Sequence, residues 1–376
     1  MTEDGPAAGT VAATGERTGA TAPGIPDPDA ARTRPVGGRD RPSVVITGAS
    51  AGVGRATARA FGRLGWQVGL IARDHAALNA AGDEIWRLGG YPHVIRADVA
   101  DADRLTAAAD EMAEAFAGID VWINNAMATL FAPVDETTAA EFRRVVDVTL
   151  MGQVNGTMAA LKHMRPADRG TIVLVGSALG HRSIPLQAAY CAAKHGLRGF
   201  ADSLRSELIH DRSRIRLTTV HLPAVDTPQF DRARSRLPRR VQPVPPIYEP
   251  ETIADGIVDA VHRAPRDLWI GGSTAQLILG SRFAPATWLD RKMAAMAWDG
   301  QMTADPADPS RPDNLFEPVE GDFGARGRFG AMGRPAARRY SPASGWRAAG
   351  LAFLGAVTAL GMATGFGTSP RRRRRR

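Results

Sequence analysis

Tyr190-Cys191-Ala192-Ala193-Lys194 lies within a helical pattern, so the i and i+4 positions place a phenol and an ammonium on one helix face. A free tyrosine has a pKa of about 10, a poor match to acid–base work at neutral pH. A lysine charge roughly 4–6 Å away favours the phenolate and lowers that value. Alone, such a pair is more often a surface or packing coincidence. It has company in Gly170-Thr171-Ile172-Val173-Leu174-Val175-Gly176-Ser177, a strand ending in a serine thirteen residues before Tyr190. Open α/β sheets bind ligands at the carboxyl ends of their strands.

A second cluster suits phosphate. Val44-Val45-Ile46-Thr47 runs into Gly48-Ala49-Ser50-Ala51-Gly52-Val53-Gly54, and a helical pattern follows. Glycines there allow a tight turn and a close approach of pyrophosphate to the backbone, while the helix N-terminus supplies N–H donors. The stretch follows a strand and opens a helix, which is the context a dinucleotide site requires. The second strand ends Leu70-Ile71-Ala72-Arg73. An acid at that point would bond the 2′-hydroxyl of NAD, whereas an arginine accommodates the 2′-phosphate of NADP. Ala72 and Arg73 therefore favour NADP over NAD. Asp74 competes for the acidic role but fits better as the N-cap of a helix starting at His75.

The elements that must position these groups alternate. Strands are expected at Val44–Thr47, Gln67–Ala72, His93–Ala97, Val121–Asn124, Thr171–Val175, Arg216–His221 and Leu268–Ile270. Helices are expected near Arg55–Leu64, His75–Arg87, Ala102–Phe116, Ala139–Met164, Ala188–Ile209 and Pro250–Arg263. Val- and Ile-rich strands with few charges suit a parallel sheet covered on both faces, and the alternation implies βαβ units. The fold class is α/β, doubly wound, with a mostly parallel sheet of the Rossmann kind. Pro223–Pro250, rich in proline and arginine, shows no period and is expected to be a lid or a disordered loop.

Composition bounds the rest. The chain has 376 residues, 44% hydrophobic and 23% charged, which is ordinary for a globular protein. Residues 371–376 are six arginines, so most of the formal charge of +8 belongs to a tail and gives no sign of a specific nucleic-acid surface. One cysteine, Cys191, excludes an internal disulfide framework and a Cys-rich zinc site, and fits a reducing compartment. His181 and His195 lack paired ligand spacing, so no metal site is expected. The organisation expected is a disordered arm over 1–40, one catalytic domain over 41–272, an irregular extension over 273–344, and an apolar segment with a poly-arginine end over 345–376.

Taken together, Thr47-Gly48-x-x-x-Gly52-x-Gly54, Asn124-Asn125-Ala126, Ser177 and Tyr190-x-x-x-Lys194 resemble the short-chain dehydrogenase/reductase family over roughly residues 41–272. The resemblance implies an oxidoreductase that interconverts a small-molecule alcohol and a carbonyl, and a homo-oligomer. Tyr190 would exchange a proton with the substrate oxygen, Lys194 would hold the nicotinamide ribose and depress the Tyr190 pKa, and Ser177 would hydrogen-bond the carbonyl. The cofactor-binding set it implies is Thr47, Gly48, Ser50, Gly52, Val53, Gly54, Arg73, Asp98, Val99, Asn124, Ala126, Tyr190, Lys194 and Thr227, with Asp98-Val99 at the adenine. Three departures stand out. Met127 replaces a frequent glycine, Thr149 stands where the family has a catalytic asparagine, and Pro223-Ala224 replaces Pro-Gly. Asn155 is no substitute for that asparagine, since six residues at about 100° each turn it some 240° away.

Ala348–Thr368 holds no charged residue, with Trp346 and Arg347 before it and arginines after it. Its length is close to that of a bilayer core. The expectation is a cytoplasmic protein associated with a membrane through residues 346–376, by a spanning helix or one lying in the interface. A rival from another class is a non-catalytic NADP-binding scaffold or sensor with a membrane-associated tail, for which Thr149 is the one favourable residue.

Overall fold

Every residue of Ser43-Val44-Val45-Ile46-Thr47 is buried, as a strand covered on both faces must be. This is β1 (Ser43–Thr47) of a computed structural model that describes residues 41–342. The chain continues through α1 (Gly52–Arg63), β2 (Gln67–Ala72), α2 (His75–Arg87), β3 (Tyr91–Arg96), α3 (Ala102–Ala115) and β4 (Val121–Asn124). The short β5 (Leu130–Phe131) precedes α4 (Ala139–Val146), a π turn (Asp147–Met151) and α5 (Gly152–Met164). Then come β6 (Thr171–Ser177), α6 (Ala188–His210) and β7 (Arg216–Leu222). Capping chemistry fixes two of the helix starts. Asp74 accepts from the Ala77 N–H at 3.1 Å to begin α2, and Thr138 and Glu141 form a capping box on α4.

The segment expected to be structureless is ordered. It holds β8 (Ala224–Val225), α7 (Gln229–Arg232), β9 (Arg234–Ser235), β10 (Arg239–Val241) and β11 (Ile247–Tyr248), and leads into α8 (Pro250–Arg263) and β12 (Asp267–Ile270). Beyond these, α9 (Gly272–Phe283) and α10 (Ala286–Gly300) form where no period was evident, followed by β13 (Met302–Pro306), β14 (Gly333–Arg334) and β15 (Arg339–Tyr340). The physical reason is non-local. β10 pairs with β13, and β11 lies between β8 and β14, so the loop's backbone groups are satisfied by chain far downstream. The helix α10 buries only Leu289 and Ala297, too thin a stripe to stand out as a pattern.

The main sheet has the order β15-β12-β7-β6-β4-β1-β2-β3. Its pairs are parallel except β12–β15, which is antiparallel and adds an edge strand that sequence patterning missed. Strand order reverses at β1, so a crevice opens at its carboxyl end. Alternate residues feed two cores. Val45, Ile71, Trp122, Ile172 and Leu174 face α3, α5 and α6, and Ile46, Leu70, Ile123, Val175 and Leu222 face α1, α2 and α8. The extension enters the first of these cores through Leu315, which is 0% exposed. Among the described residues, no helix is long and apolar enough to cross a membrane. The arm over 1–40 and the segment over 345–376 expected to associate with a membrane lie outside the described residues.

Leu315→Ala is therefore expected to behave as a core mutation despite lying in an extension. It should cost about 2–5 kcal/mol, seen as a lower urea midpoint with an unchanged slope. A midpoint within experimental error of the parent would show that Leu315 adds nothing to the core.

Candidate active site

The turn after β1 is built by close approach. Gly48 has φ +67 and a Cβ there would lie 2.8 Å from the Ala126 Cα, while one on Gly54 would lie 2.1 Å from the Gly48 carbonyl oxygen. No side chain fits either position, so α1 starts directly against the turn. Thr47 ties the turn to the end of β4. Its Oγ1 accepts from the N–H groups of Asn125 and Ala126 at 3.0 and 3.1 Å. Asn125 Nδ2 returns the contact by donating to the carbonyls of Thr47 and Gly48.

β6 ends at Ser177, whose hydroxyl accepts from the Leu179 N–H at 3.1 Å, and α6 carries Tyr190 and Lys194 back over the same edge. Lys194 is 2% exposed, and its Nζ donates to the Val175 carbonyl at 2.6 Å. It sits 5.7 Å from the Tyr190 ring centroid. Burial pushes the Tyr190 phenol up to about 12, with Ser177 hydrogen bonding as the opposing influence, and pushes the Lys194 ammonium down to about 7. This corrects the expected sign. Desolvation is the largest influence on both groups and favours the neutral form of each, so the phenol keeps its proton at neutral pH. Cys191 is free and buried, and burial raises its thiol pKa, which suits packing rather than redox chemistry. His181 approaches His221 at 3.3 Å, and burial pushes it down to about 3.

A cavity of about 470 Å³ joins these groups. Of the residues expected from the sequence, Gly48, Ser50, Gly52, Val53, Arg73, Asp98, Val99, Ala126, Ser177, Tyr190, Lys194 and Thr227 line it. Thr47, Gly54 and Asn124 stand behind its wall. Asn124 is fully buried, accepting from Trp122 Nε1 at 2.9 Å and donating to Thr157 at 3.0 Å. Asp98 is committed to its own surroundings, with Oδ1 accepting from the Ala100 N–H and Oδ2 pairing with Arg144.

The cavity also has a wall that sequence patterning missed. Asn314, Pro318 and Val319 line it from the extension. Arg73 donates through its two terminal nitrogens to the carbonyls of Phe316 and Asn314, at 2.6 and 2.5 Å. Arg144 donates to the Leu315 carbonyl at 3.0 Å. The Gly52 N–H, in the glycine turn after β1, donates to the Gly324 carbonyl at 3.0 Å. The same lining adds Leu179, Ile184, Gln187, Phe230, Leu277 and Gln301. No local signal marks these residues, because they reach the site only through tertiary packing.

The family model for short chain dehydrogenase matches residues 42–237. The chain belongs to the short-chain dehydrogenase family. It is 32% identical over 279 residues to the uncharacterized oxidoreductase YxnA of Bacillus subtilis, covering 73% of this chain and 77% of that protein. It is 34% identical over 181 residues to dehydrogenase/reductase SDR family member 7B of Mus musculus, covering 47% and 55%. A solved metagenomic short-chain oxidoreductase in complex with NADP is 30% identical, with a TM-score of 0.50, covering 59% of this chain and 90% of that one.

Within the family frame, Thr149 has a clear structural task. Its Oγ1 accepts from the Ala128 N–H and donates to the Ala128 carbonyl, both at 2.9 Å. The π turn over Asp147–Met151 breaks the 100° phase used to place Asn155, yet Asn155 still points elsewhere, donating to the Val99 carbonyl at 3.0 Å. Thr149→Val keeps the shape and removes both bonds, leaving two buried backbone groups unpaired. The expected cost is about 1–3 kcal/mol for each group left unsatisfied, measured by chemical denaturation. Unchanged stability would show that water replaces the hydroxyl.

Proposed function

We propose that the chain is an NADP-dependent oxidoreductase that interconverts an alcohol and a carbonyl at Ser177, Tyr190 and Lys194. The observation that carries this is the convergence of these three side chains on one cavity that runs past the glycine turn to Arg73. The left-handed turn at Gly48 and Gly52 and the N-terminus of α1 suit a pyrophosphate, and Arg73 suits a 2′-phosphate. The solved relative in complex with NADP supports the same choice. When bound, the nicotinamide supplies the hydride chemistry.

The residues divide the remaining work. Ser177 holds the substrate oxygen by a hydrogen bond where negative charge develops. Tyr190, protonated at neutral pH, gives its proton to that oxygen during reduction. Lys194 in its charged form stabilises the phenolate left behind. The substrate end of the cavity is lined by Leu179, Ile184, Phe230, Val244 and Leu277, with Gln187, Gln242 and Gln301 as polar groups, which supports an uncharged, mainly apolar substrate. The engagement of Thr149 with Ala128 accounts for the one residue that favoured a non-catalytic scaffold. The division expected at residue 272 is better drawn so that the extension belongs to the catalytic unit, since residues beyond it line the same cavity.

The pH profile tests the proton route. Lys194 is charged below its pKa of about 7, and the phenol keeps its proton to about 12. So kcat/KM for NADPH-dependent carbonyl reduction should hold level in weak acid and fall as pH rises above neutrality. Tyr190→Phe should lower turnover by about 10²–10⁴-fold while NADPH binding, followed by cofactor fluorescence, stays intact. Retained turnover in that variant would defeat the assignment. For cofactor choice, NADPH should bind about one to two decades more tightly than NADH, and Arg73→Ala should remove most of that gap with little effect on NADH. Equal dissociation constants in the parent would count against NADP.

A further inference from the structure

Arg232 ends α7 within Pro223–Pro250, the substrate loop, which lines the proposed substrate end with Phe230, Gln242 and Val244; it is a cation without a partner of its own. Among the described residues its side chain makes no hydrogen bond or ion pair, and its Nε is buried and unsatisfied. Its guanidinium lies over the Phe323 ring at 4.3 Å and lines the cleft together with Arg73 and Asp74. Leaving a buried N–H unpaired costs free energy, and two guanidinium groups facing one low-dielectric cavity repel each other. The arrangement suits an anion between them.

The backbone around Arg232 is held in place, which fixes where its side chain starts. Arg311 donates to the carbonyls of Phe230 and Ala233 at 3.3 and 2.7 Å. Asn314 joins the two cations directly: its N–H donates to the Arg232 carbonyl at 2.9 Å, and its own carbonyl accepts from Arg73. The pocket also holds an opposing charge. Asp74 uses Oδ1 to cap α2, and its Oδ2 is buried without a partner. Burial lowers the Arg232 pKa, with Asp74 raising it and Arg73 lowering it, which places all three groups within electrostatic reach. Arg73 against Asp74 alone is a balanced pair and a poor 2′-phosphate site. The neighbouring Arg144 and Asp98 balance each other as an ion pair and Glu317 is exposed to solvent, so Arg232 is the cation that offsets Asp74.

We propose that Arg232 is the second cation of the 2′-phosphate site, offsetting Asp74 and setting the preference for NADP over NAD. The inference rests on the NADP reading above. It assigns cofactor specificity to a residue of the substrate loop, aligned by the extension, rather than to the end of β2 alone.

The test uses the full chain and two fragments that differ only in the 2′-phosphate, 5′-AMP and 2′,5′-ADP, titrated by calorimetry. In the parent, 2′,5′-ADP should bind more tightly. Arg232→Gln should weaken 2′,5′-ADP about tenfold, the loss of one charge-assisted contact, and leave 5′-AMP unchanged, which also reports an intact fold. Asp74→Asn added to Arg232→Gln should recover part of that loss. NADH and NADPH titrations complete the set. Equal loss of NADH and NADPH would place Arg232 on the pyrophosphate and overturn the proposal, as would no loss of 2′,5′-ADP binding. If the parent shows no preference for 2′,5′-ADP, the NADP reading itself fails and takes this one with it. If the preference is present and Arg73→Ala removes it while Arg232→Gln does not, only the role given to Arg232 falls.

Discussion

The junction of β1 and β4 is the constraint on which the rest of the site depends. Thr47 holds two N–H groups of the chain leaving β4, and Asn125 holds two carbonyls of the chain leaving β1. Four hydrogen bonds thus lock the two strand ends at the point where strand order reverses. Only with that lock can Ala126 lie so close to Gly48 that a Cβ would collide. The cleft floor is therefore backbone, and the reacting groups need only be brought to its rim. β6 supplies Ser177 at that rim, and the length of α6 carries Tyr190 and Lys194 to the same edge.

Burial then decides the protonation states. Lys194 has lost nearly all contact with solvent, and its ammonium donates to the strand carbonyl of Val175. Carbonyl dipoles replace water poorly for an ammonium, so its charged form is strained. The same desolvation raises Tyr190. In the proposed reaction, a phenol that holds its proton beside a lysine near its own titration point would donate in neutral solution, and the lysine charge would act as the phenolate appears. Preorganised charge of this kind acts without rearrangement during reaction.

Much of this was legible in residues whose role is local. The glycines of the turn, the strand ending in Ser177 and the Tyr190–Lys194 spacing each declare themselves within a few positions, as did Asp74 as a cap. What the sequence concealed is tertiary. Nothing around Leu315 marks it as core, since it stands between Asn314 and Phe316 in a stretch with no period. The loop after β7 looked structureless because its partner strands, β13 and β14, come from beyond residue 300. The Tyr190 pKa moves up rather than down for a related reason: spacing reveals a shared helix face with Lys194 but not how far the surroundings desolvate both groups. Thr149 was noticed as a departure, but its bonds to Ala128 require the fold to be seen.

The extension changes what kind of enzyme site this fold makes. Glu141 of α4 receives Arg234 and Arg236 from the substrate loop, and Arg234 also pairs with Asp313 of the extension. Farther along, the Phe329 N–H donates to the buried Asp226 carboxylate at 3.0 Å, and Arg328 pairs with Asp231. A loop tied on three sides has little freedom to act as a flexible lid. Its ordering cost is met during folding rather than at each binding event, which favours a preformed pocket over closure driven by substrate. Selectivity in such a pocket comes from shape and from buried polar groups left unpaired by a wrong ligand. Gln301 serves shape rather than pairing: it is 1% exposed and holds Pro185 and Ala297 with its amide while its oxygen accepts from Gln187. The extension thereby reaches the loop between Ser177 and Tyr190, so the same segment of chain that walls the cavity beside Arg73 also braces the loop before Tyr190.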